Sequence, residues 1–217
     1  MLARRPARLA VAAMLILLLA PLVLAGCSTS SSDAPALTAY PGAADSLPPV
    51  GQADTVYDPA RPAPALQLTD QDGQPFDLAS LHGSIALVFF GYTHCTDVCP
   101  TTLADLRTAI TASGVPAKVV FVSVDPVRDT PAVLKTYLDA YKAGFIGLTG
   151  SDAQIASTAK AWGVGYQADP PDSNGNYAVT HTAETFLVDG SGTLRNHIPV
   201  DTSTDLIATL LKTAASG

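Results

Sequence analysis

The part of the sequence that decides the fold is IALVFF at Ile85–Phe90, followed directly by GYTHCTDVCP at Gly91–Pro100. An apolar run without polar alternation is typical of a central strand that is covered on both faces. Pro100 suits the first position of a helix, where its missing N–H group costs nothing. The stretch therefore predicts a buried strand that turns into a helix, with Cys99 at or beside the helix cap and Cys95 in the loop before it.

The two thiols at this turn are suited to two kinds of chemistry. A helix N-terminus favours thiolate over thiol, and the thiolate is the form that attacks disulfides and binds metals. Cys95 and Cys99 are about one helical turn apart, so we expect their Cα atoms to lie about 6 Å apart, within disulfide range. A disulfide across so short a loop would add little stability. The pair is therefore interpreted as a redox-active dithiol or as part of a metal chelate, rather than as a structural staple.

The segments after this stretch predict a βαβ unit. Leu103, Leu106 and Ile110 follow at helical spacing, and Lys118–Val124 is a second apolar run. Two buried strands joined by a helix imply a parallel pair with a right-handed crossover.

The remaining pattern resembles a thioredoxin-like α/β fold, with a central mixed sheet flanked by helices, an N-terminal hairpin and an inserted helical segment. The further predicted elements are a hairpin at Leu66–Leu78, a helix at Pro131–Tyr141 capped by Asp129 or Thr130, a strand at Phe145–Gly150, a helix ending at Trp162 and capped by Ser151 or Asp152, a strand at Tyr177–Gly190 paired with Leu194–Val200, and a closing helix that starts at Thr202 or Ser203. A polar loop, Asp169–Asn176, precedes the long strand, and we expect it to be mobile until a metal orders it.

The N-terminus has the pattern of an export signal. Three arginines near the start precede an apolar stretch, Leu9–Leu24, that is too short for a comfortable membrane span. LAGC at Leu24–Cys27 resembles the lipobox of bacterial lipoproteins, in which the cysteine is acylated. An ordinary cleaved signal and an uncleaved anchor fit less well with small residues directly before a cysteine. The sequence thus predicts a signal peptide at 1–26 and a protein held by a lipid on Cys27 at the extracytoplasmic face of the cell membrane.

Composition divides the rest of the chain into a tether and one domain. Residues 27–64 are rich in Ser, Ala and Pro, so they are predicted to form a flexible tether. Residues 65–217 are long enough for one domain with a full core. Without the signal peptide, nine basic and 19 acidic residues remain, a net charge of −10, which argues against nucleic acid as a partner.

Three motifs together resemble the Sco/SenC family of copper-binding proteins. They are GYTHCTDVCP at Gly91–Pro100, VSVDPVRDTP at Val122–Pro131 and THT at Thr180–Thr182. The similarity spans Ala65–Val200 and includes GLTG at Gly147–Gly150. The sequence departs from the family at Thr96, where proline is common, and at Thr182, where serine is frequent. Neither departure removes a ligand.

The resemblance implies a copper ion held by Cys95, Cys99 and His181. It also implies a metallochaperone that assists assembly of the copper centre of a respiratory terminal oxidase. The implied partners are the oxidase's copper-binding subunit, other copper chaperones and thiol reductases. Two thiolates and an imidazole also suit Cu(I) on chemical grounds, whereas a structural zinc site usually has a fourth protein ligand. Both methionines, Met1 and Met14, lie in the signal peptide, so no thioether ligand would remain.

A thiol:disulfide oxidoreductase is the alternative function, with Cys95 and Cys99 as the redox-active pair that reduces the oxidase's copper-ligand cysteines. Thioredoxin-type reductases have two residues between their cysteines and a cis-proline that faces them. Here three residues intervene, and Thr180–Thr182 contains no proline. The sequence favours metal capture over thiol exchange, and both activities can hold on the same residues. A peroxiredoxin-like peroxidase is not supported by an obvious set of threonine and arginine partners.

Other polar residues have structural as well as functional interpretations. His94 is predicted to be an exposed turn residue, with tuning of the metal site as the alternative. Asp97 is interpreted as shaping the loop. Asp125, Arg128 and Asp129 are predicted turn and cap residues that could also shape the metal loop or dock a partner. Structural roles are predicted for four more residues, His82, His197, Trp162 and Tyr166.

Overall fold

Strand β4 (Ile85–Gly91) is the centre of the fold, and each of its residues is buried. The computed structural model describes residues 55–216. Helix α1 (Val98–Ser113) leads from β4 to strand β5 (Ala117–Ser123), which pairs with β4 in parallel over its whole length. The predicted βαβ unit around the cysteines is therefore confirmed.

The main sheet of the described chain has eight strands in the order β1, β10, β9, β4, β5, β6, β2, β3, and β7 and β8 form a separate ribbon. The remaining strands are β1 (Thr55–Pro62), β2 (Gln67–Asp70), β3 (Pro75–Asp77), β6 (Ile146–Thr149), β7 (Tyr166–Ala168), β8 (Val179–His181), β9 (Glu184–Val188) and β10 (Thr193–Pro199). Strand β5 is parallel to both of its neighbours, β4 and β6. The β2–β3 hairpin and the β9–β10 hairpin are both present as predicted.

Helices cover the sheet and complete the predicted mixed α/β fold. They are α2 (Pro131–Asp139), α3 (Asp152–Trp162) and α4 (Thr204–Ser216), besides α1 and a short 3₁₀ helix at Leu78–Leu81. Helix α4 packs beside α1. Helix α2 packs closely on β6, because a Cβ on Gly147 would lie 2.5 Å from Leu138 Cδ1. Trp162 is buried against the rings of Phe90 and Phe186, so its predicted packing role is confirmed.

Hydroxyl caps begin three of these helices. Thr130 Oγ1 accepts the N–H of Val133 at the start of α2. Ser151 forms a capping box with Gln154 at the start of α3. Before α4, Ser203 Oγ accepts the N–H of Leu206 at 3.3 Å. These bonds satisfy N–H groups that have no partner inside the helix, and they decide between the caps that the sequence left open.

The predicted C-terminal boundary of the tether, residue 64, is wrong. Residues 27–64 were expected to lack structure, but Thr55–Pro62 forms strand β1 at the edge of the main sheet, antiparallel to β10. An edge strand tolerates the prolines and the shift in register that β1 contains. Tyr57 is buried there against the ring of His197. The predicted signal peptide, the lipidation site and the first part of the tether lie outside the described residues, within which no helix is both long and apolar enough to span a membrane.

The predicted single strand Tyr177–Gly190 is in fact two strands in different sheets. Strand β8 pairs with β7, a strand that was not predicted, whereas β9 lies in the main sheet between β4 and β10. The break between β8 and β9 places His181 at the end of the ribbon. The loop Asp169–Asn176 therefore joins the two strands of the ribbon.

Candidate metal centre

The loop and first helical turn that follow β4, Gly91–Pro100, carry both cysteines, and we refer to them as the cysteine half of the site. Helix α1 begins at Val98, so Cys99 lies inside its first turn and not at the cap. Pro100 occupies the third helical position instead of the predicted first, which is tolerated because N–H groups of the first turn have no partner inside the helix. Cys99 is fully buried, whereas Cys95 in the loop is half-buried.

The two thiols lie beside each other against the end of β4. The Sγ atom of Cys95 accepts the backbone N–H of Cys99 at 3.4 Å, and both cysteines are free thiols. A Cβ on Gly91 would lie 2.8 Å from Cys99 Sγ and 2.8 Å from the ring of Phe121. Glycine at position 91 therefore makes the room in which the buried sulfur sits.

The β7–β8 ribbon carries the third candidate ligand, and we refer to it as the histidine half of the site. His181 is the last residue of β8, opposite Tyr166 on β7. Its ring packs edge-on against Tyr92, with centroids 5.8 Å apart. Its Nδ1 atom lies 3.2 Å from the carbonyl of Thr182. A carbonyl oxygen only accepts, so Nδ1 carries a proton and the neutral ring keeps its lone pair on Nε2.

The predicted ligand set comes together in the structure. His181 Nε2 lies 3.6 Å from Cys99 Sγ, and the ligand atoms of Cys95, Cys99 and His181 all lie within 4.8 Å of one another. Three ligands at ordinary metal–sulfur and metal–nitrogen distances are separated by about 4 Å when they surround one ion in a plane. The three donors therefore fit a single metal ion, and two sulfurs with one nitrogen form a soft donor set.

Burial favours the neutral form of both enclosed ligands when no metal is bound. It raises the pKa of the Cys99 thiol, and the hydrogen bond and charge of Cys95 act in the same direction. The expectation that the helix N-terminus favours a thiolate is therefore wrong for Cys99. Burial also lowers the pKa of His181, an effect that its bond to Thr182 only partly offsets. A metal cation would replace the thiol proton and would find the imidazole already neutral.

Comparison with known proteins places this site in a family. The SCO1/SenC family model matches residues 56–216. The chain belongs to the SCO1/SenC family. A Stutzerimonas stutzeri protein whose name refers to copper binding is 42% identical over 144 residues, which are 64% of this chain and 69% of that protein.

Solved Sco structures have the same fold. Bradyrhizobium japonicum ScoI with copper bound is 37% identical, with a TM-score of 0.63 over 71% of this chain and 99% of that one. BsSco, a member of the Sco family of cytochrome c oxidase assembly proteins in which a disulfide switch was identified, is 26% identical, with a TM-score of 0.56 over 72% of this chain and 95% of that one. The thioredoxin-like fold expected from the sequence is thus the fold of the Sco proteins.

Asp129 holds the cysteine half of this Sco-family site in place. Its buried carboxylate accepts the backbone N–H of Thr93 at 2.9 Å and the Thr93 hydroxyl at 2.5 Å. It also accepts the hydroxyl of Ser123, at the end of β5, at 2.6 Å. Asp129 was predicted as a turn or cap residue, with shaping of the metal loop as an alternative. Thr130 caps α2, and Asp129 joins β5 to the loop that carries the cysteines, as the alternative expected.

A second group of candidate ligands is already satisfied by protein donors. Ligand atoms of His94, Asp125 and Asp129 lie within 4.8 Å of one another. The carboxylate of Asp125 accepts from Arg128 and from the hydroxyl of Tyr177, so both acidic residues are engaged. His94 is exposed, as predicted, with its Nδ1 atom 3.8 Å from Asp129. The group therefore braces the site and does not form an open second one.

The other candidates are placed as follows. His197 is buried and paired with Glu184 at 2.8 Å in the main sheet, which confirms a structural role. Asp97 is the residue directly before α1, but its side chain makes no capping hydrogen bond. Two aromatic residues near the site, Tyr92 and Tyr177, were not predicted as functional residues. Tyr92 lies inside the cysteine motif, which could have pointed to it, whereas Tyr177 stands in a stretch without a motif.

Proposed function

We propose that this chain is an extracytoplasmic copper metallochaperone that binds one copper ion through Cys95, Cys99 and His181. The observation that carries the proposal is the convergence of two sulfurs and one imidazole nitrogen from distant parts of the chain. Thiolates and imidazole without a fourth protein donor suit Cu(I). Copper in the ScoI structure, a relative with the same fold, supports the choice of metal.

The second part of the proposal concerns the recipient of the copper. We infer that the protein assists assembly of the copper centre of a respiratory terminal oxidase, with the oxidase's copper-binding subunit as its partner. Membership of a family that includes an oxidase assembly protein supports this role. The half-buried Cys95 supports it too, because an accessible ligand lets a partner's ligand approach the metal. The acidic chain would not attract nucleic acid.

A thiol:disulfide oxidoreductase remains the second candidate, and the proximity of the two thiols favours it. The pair would supply two electrons and two protons to a substrate disulfide and would itself become a disulfide. Cys95 would be the attacking thiol, because Cys99 is buried and its pKa is raised. The identification of a disulfide switch in BsSco supports this alternative.

The proposed location is the extracytoplasmic face of the cell membrane, with lipid on Cys27 as the anchor. The lipobox at Leu24–Cys27 supports this proposal. We expect Cys27→Ala to abolish acylation and to release the protein from the membrane fraction. Mass spectrometry of the N-terminal peptide checks this, and an unacylated wild-type protein found in the membrane fraction would contradict it.

Titration of the reduced protein with Cu(I) against a competing chelator tests the proposed function. We expect one equivalent to bind. Cys95→Ser should weaken binding by at least two orders of magnitude, about 2.8 kcal/mol, because the half-buried serine keeps the shape of the site but lacks the soft donor. Urea unfolding of the variant confirms that it is folded. Cu(I) binding that is as tight in Cys95→Ser as in the wild type would refute the proposed site.

A further inference from the structure

The turn between β5 and α2 reaches across the site to the histidine half. Arg128 in this turn donates from Nη1 to the backbone carbonyl of Tyr177 at 2.9 Å. Its guanidinium also lies over the Tyr177 ring, 3.5 Å from the ring centroid. The Tyr177 hydroxyl donates to Asp125 Oδ1 at 2.7 Å, and Arg128 Nε donates to the other oxygen of Asp125. These three residues, Asp125, Arg128 and Tyr177, form what we call the clamp.

The clamp acts on a part of the chain that forms no strand pairing with the main sheet. Tyr177 lies two residues before β8, and β8 pairs with β7 in the ribbon outside the eight-stranded sheet. At the other end of β8, a hydrogen bond links the two segments that flank the ribbon. The N–H of Gly165, just before β7, donates to Oγ1 of Thr182, just after β8, at 3.1 Å. The clamp therefore fixes the entrance to β8, and His181 lies at the exit.

The clamp is also shielded from solvent. The Asp125 side chain is 3% exposed and the Arg128 side chain 16% exposed. A shielded ion pair has to offset the cost of desolvating both charges, so it is a poor device for stability alone. Arg128 also lies 5.8 Å from the ring centroid of Tyr92, the residue whose ring packs against His181. The clamp thus contacts both the backbone that precedes β8 and the Tyr92 ring that packs against His181.

We propose that Arg128 is a positioning residue for the metal site. Together with Asp125 it holds Tyr177, and through Tyr177 the strand β8, so that His181 Nε2 faces Cys99 Sγ before a metal arrives. The inference rests on the proposed copper site. The turn between β5 and α2 would then position both halves of the site, because Asp129 of the same turn holds the cysteine half.

Arg128→Gln tests this role in the full-length protein. We expect it to weaken Cu(I) binding about tenfold, as is usual for a residue that orients a metal ligand. In the metal-free protein it should also accelerate hydrogen exchange of the β8 amides. Arg195→Gln is the matched control, because it removes another ion pair between an arginine and a buried aspartate, Asp189, at the opposite end of β4. The control should change neither Cu(I) affinity nor β8 exchange.

A double-mutant cycle separates positioning from general damage to the fold. In the His181→Ala background, Arg128→Gln should cause no further loss of Cu(I) affinity, because the ligand that it positions is absent. An equal loss in both backgrounds would overturn the inference, and so would wild-type affinity in Arg128→Gln. If Arg128→Gln does not fold, Tyr177→Phe is the alternative variant, because it removes only the hydrogen bond to Asp125. The inference then requires that Tyr177→Phe weaken Cu(I) binding about threefold, and that it cause no loss of affinity in the His181→Ala background.

The failure of this inference is distinguishable from the failure of the proposed function. If the wild-type protein itself does not bind Cu(I), the copper assignment is wrong. Hydrogen exchange in the metal-free Arg128→Gln variant then still decides whether the clamp holds β8. Unchanged exchange would overturn the clamp, and faster exchange would support it.

Discussion

The cysteine half of the site belongs to the central strand and the first helix, whereas the histidine half is a two-stranded ribbon outside the main sheet. Cys99 is held by buried packing, with its sulfur in the space that the absent side chain of Gly91 leaves. His181 is held by ring contacts and by hydrogen bonds of individual side chains. The buried sulfur of Cys99 is therefore fixed by the core itself, whereas the imidazole depends more on individual contacts that a substitution can remove.

This asymmetry suits the proposed transfer of copper. Segments with few buried contacts open at lower free energy than the core does. We therefore expect the histidine half to open at a lower free energy than β4 and α1 do. In the proposed function, the thiols keep the copper while the imidazole is the ligand that a partner displaces first.

Gly91→Ala should have the largest effect on stability, because it acts on the rigid half. Its new Cβ would lie 2.8 Å from both Cys99 Sγ and Phe121, and overpacking of this kind costs about 1–3 kcal/mol. Gly165→Ala is the matched control in the histidine half, since its Cβ would meet only Thr182 Oγ1, at 3.7 Å. Urea unfolding of the reduced, metal-free proteins measures both. Equal losses in the two variants would show that the halves are equally rigid.

His181→Ala should affect copper binding and leave the dithiol intact. Loss of one ligand is expected to weaken Cu(I) binding at least tenfold, about 1.4 kcal/mol, whereas Cys95 and Cys99 should still form a reversible disulfide. Chelator competition and thiol titration measure the two properties separately. If the variant binds copper as tightly as the wild type but no longer supports oxidase assembly, His181 serves docking or thiol chemistry instead.

The same difference between the halves decides which parts were predictable from sequence. The buried strand Ile85–Phe90 and the helix after it follow local rules of periodicity, and these predictions are confirmed. Local rules also limited the caps of α2 and α3 to two residues each, of which the structure has Thr130 and Ser151. The resemblance of the short motifs to a known family gave the ligand set that the structure brings together.

The predictions failed where pairing depends on distant parts of the chain. Thr55–Pro62 has the composition of a linker and becomes a strand only because β10 offers a free edge. Tyr177–Gly190 has continuous strand propensity, and nothing local marks the point where it changes sheets. The clamp was not predictable for the same reason, because Arg128 and Tyr177 are 49 residues apart.

A smaller effect is expected from the titration of His181. Its pKa is lowered by burial in the folded protein, so the unfolded chain takes up a proton at higher pH than the folded one does. His181 should therefore make the free energy of unfolding fall as the pH drops below about 6.5, the ordinary histidine pKa. This slope should be shallower in metal-free His181→Ala, while the other histidines contribute equally to both proteins. Identical pH profiles would mean that His181 is not buried in solution.

The smallest effect is expected at the tip of the ribbon, the loop Asp169–Asn176. From sequence this loop was expected to become ordered when copper binds. In the structure its contacts are internal, because the Asp172 carboxylate accepts the N–H groups of Asn174 and Asn176 at 2.8 and 2.9 Å. The clamp at Tyr177 separates this tip from β8. Cu(I) should therefore change hydrogen exchange of the tip amides by less than about twofold, while exchange of the β8 amides slows much more.

Asp172→Ala provides the control for this measurement. It removes the carboxylate that accepts both N–H groups of the tip, so it should accelerate exchange there. Cu(I) affinity should not change, because the clamp still fixes the entrance to β8. Tip amides that slow strongly with copper would restore the expectation from sequence. They would mean that the metal orders the whole ribbon, and that the histidine half is open as far as Tyr177 until copper closes it.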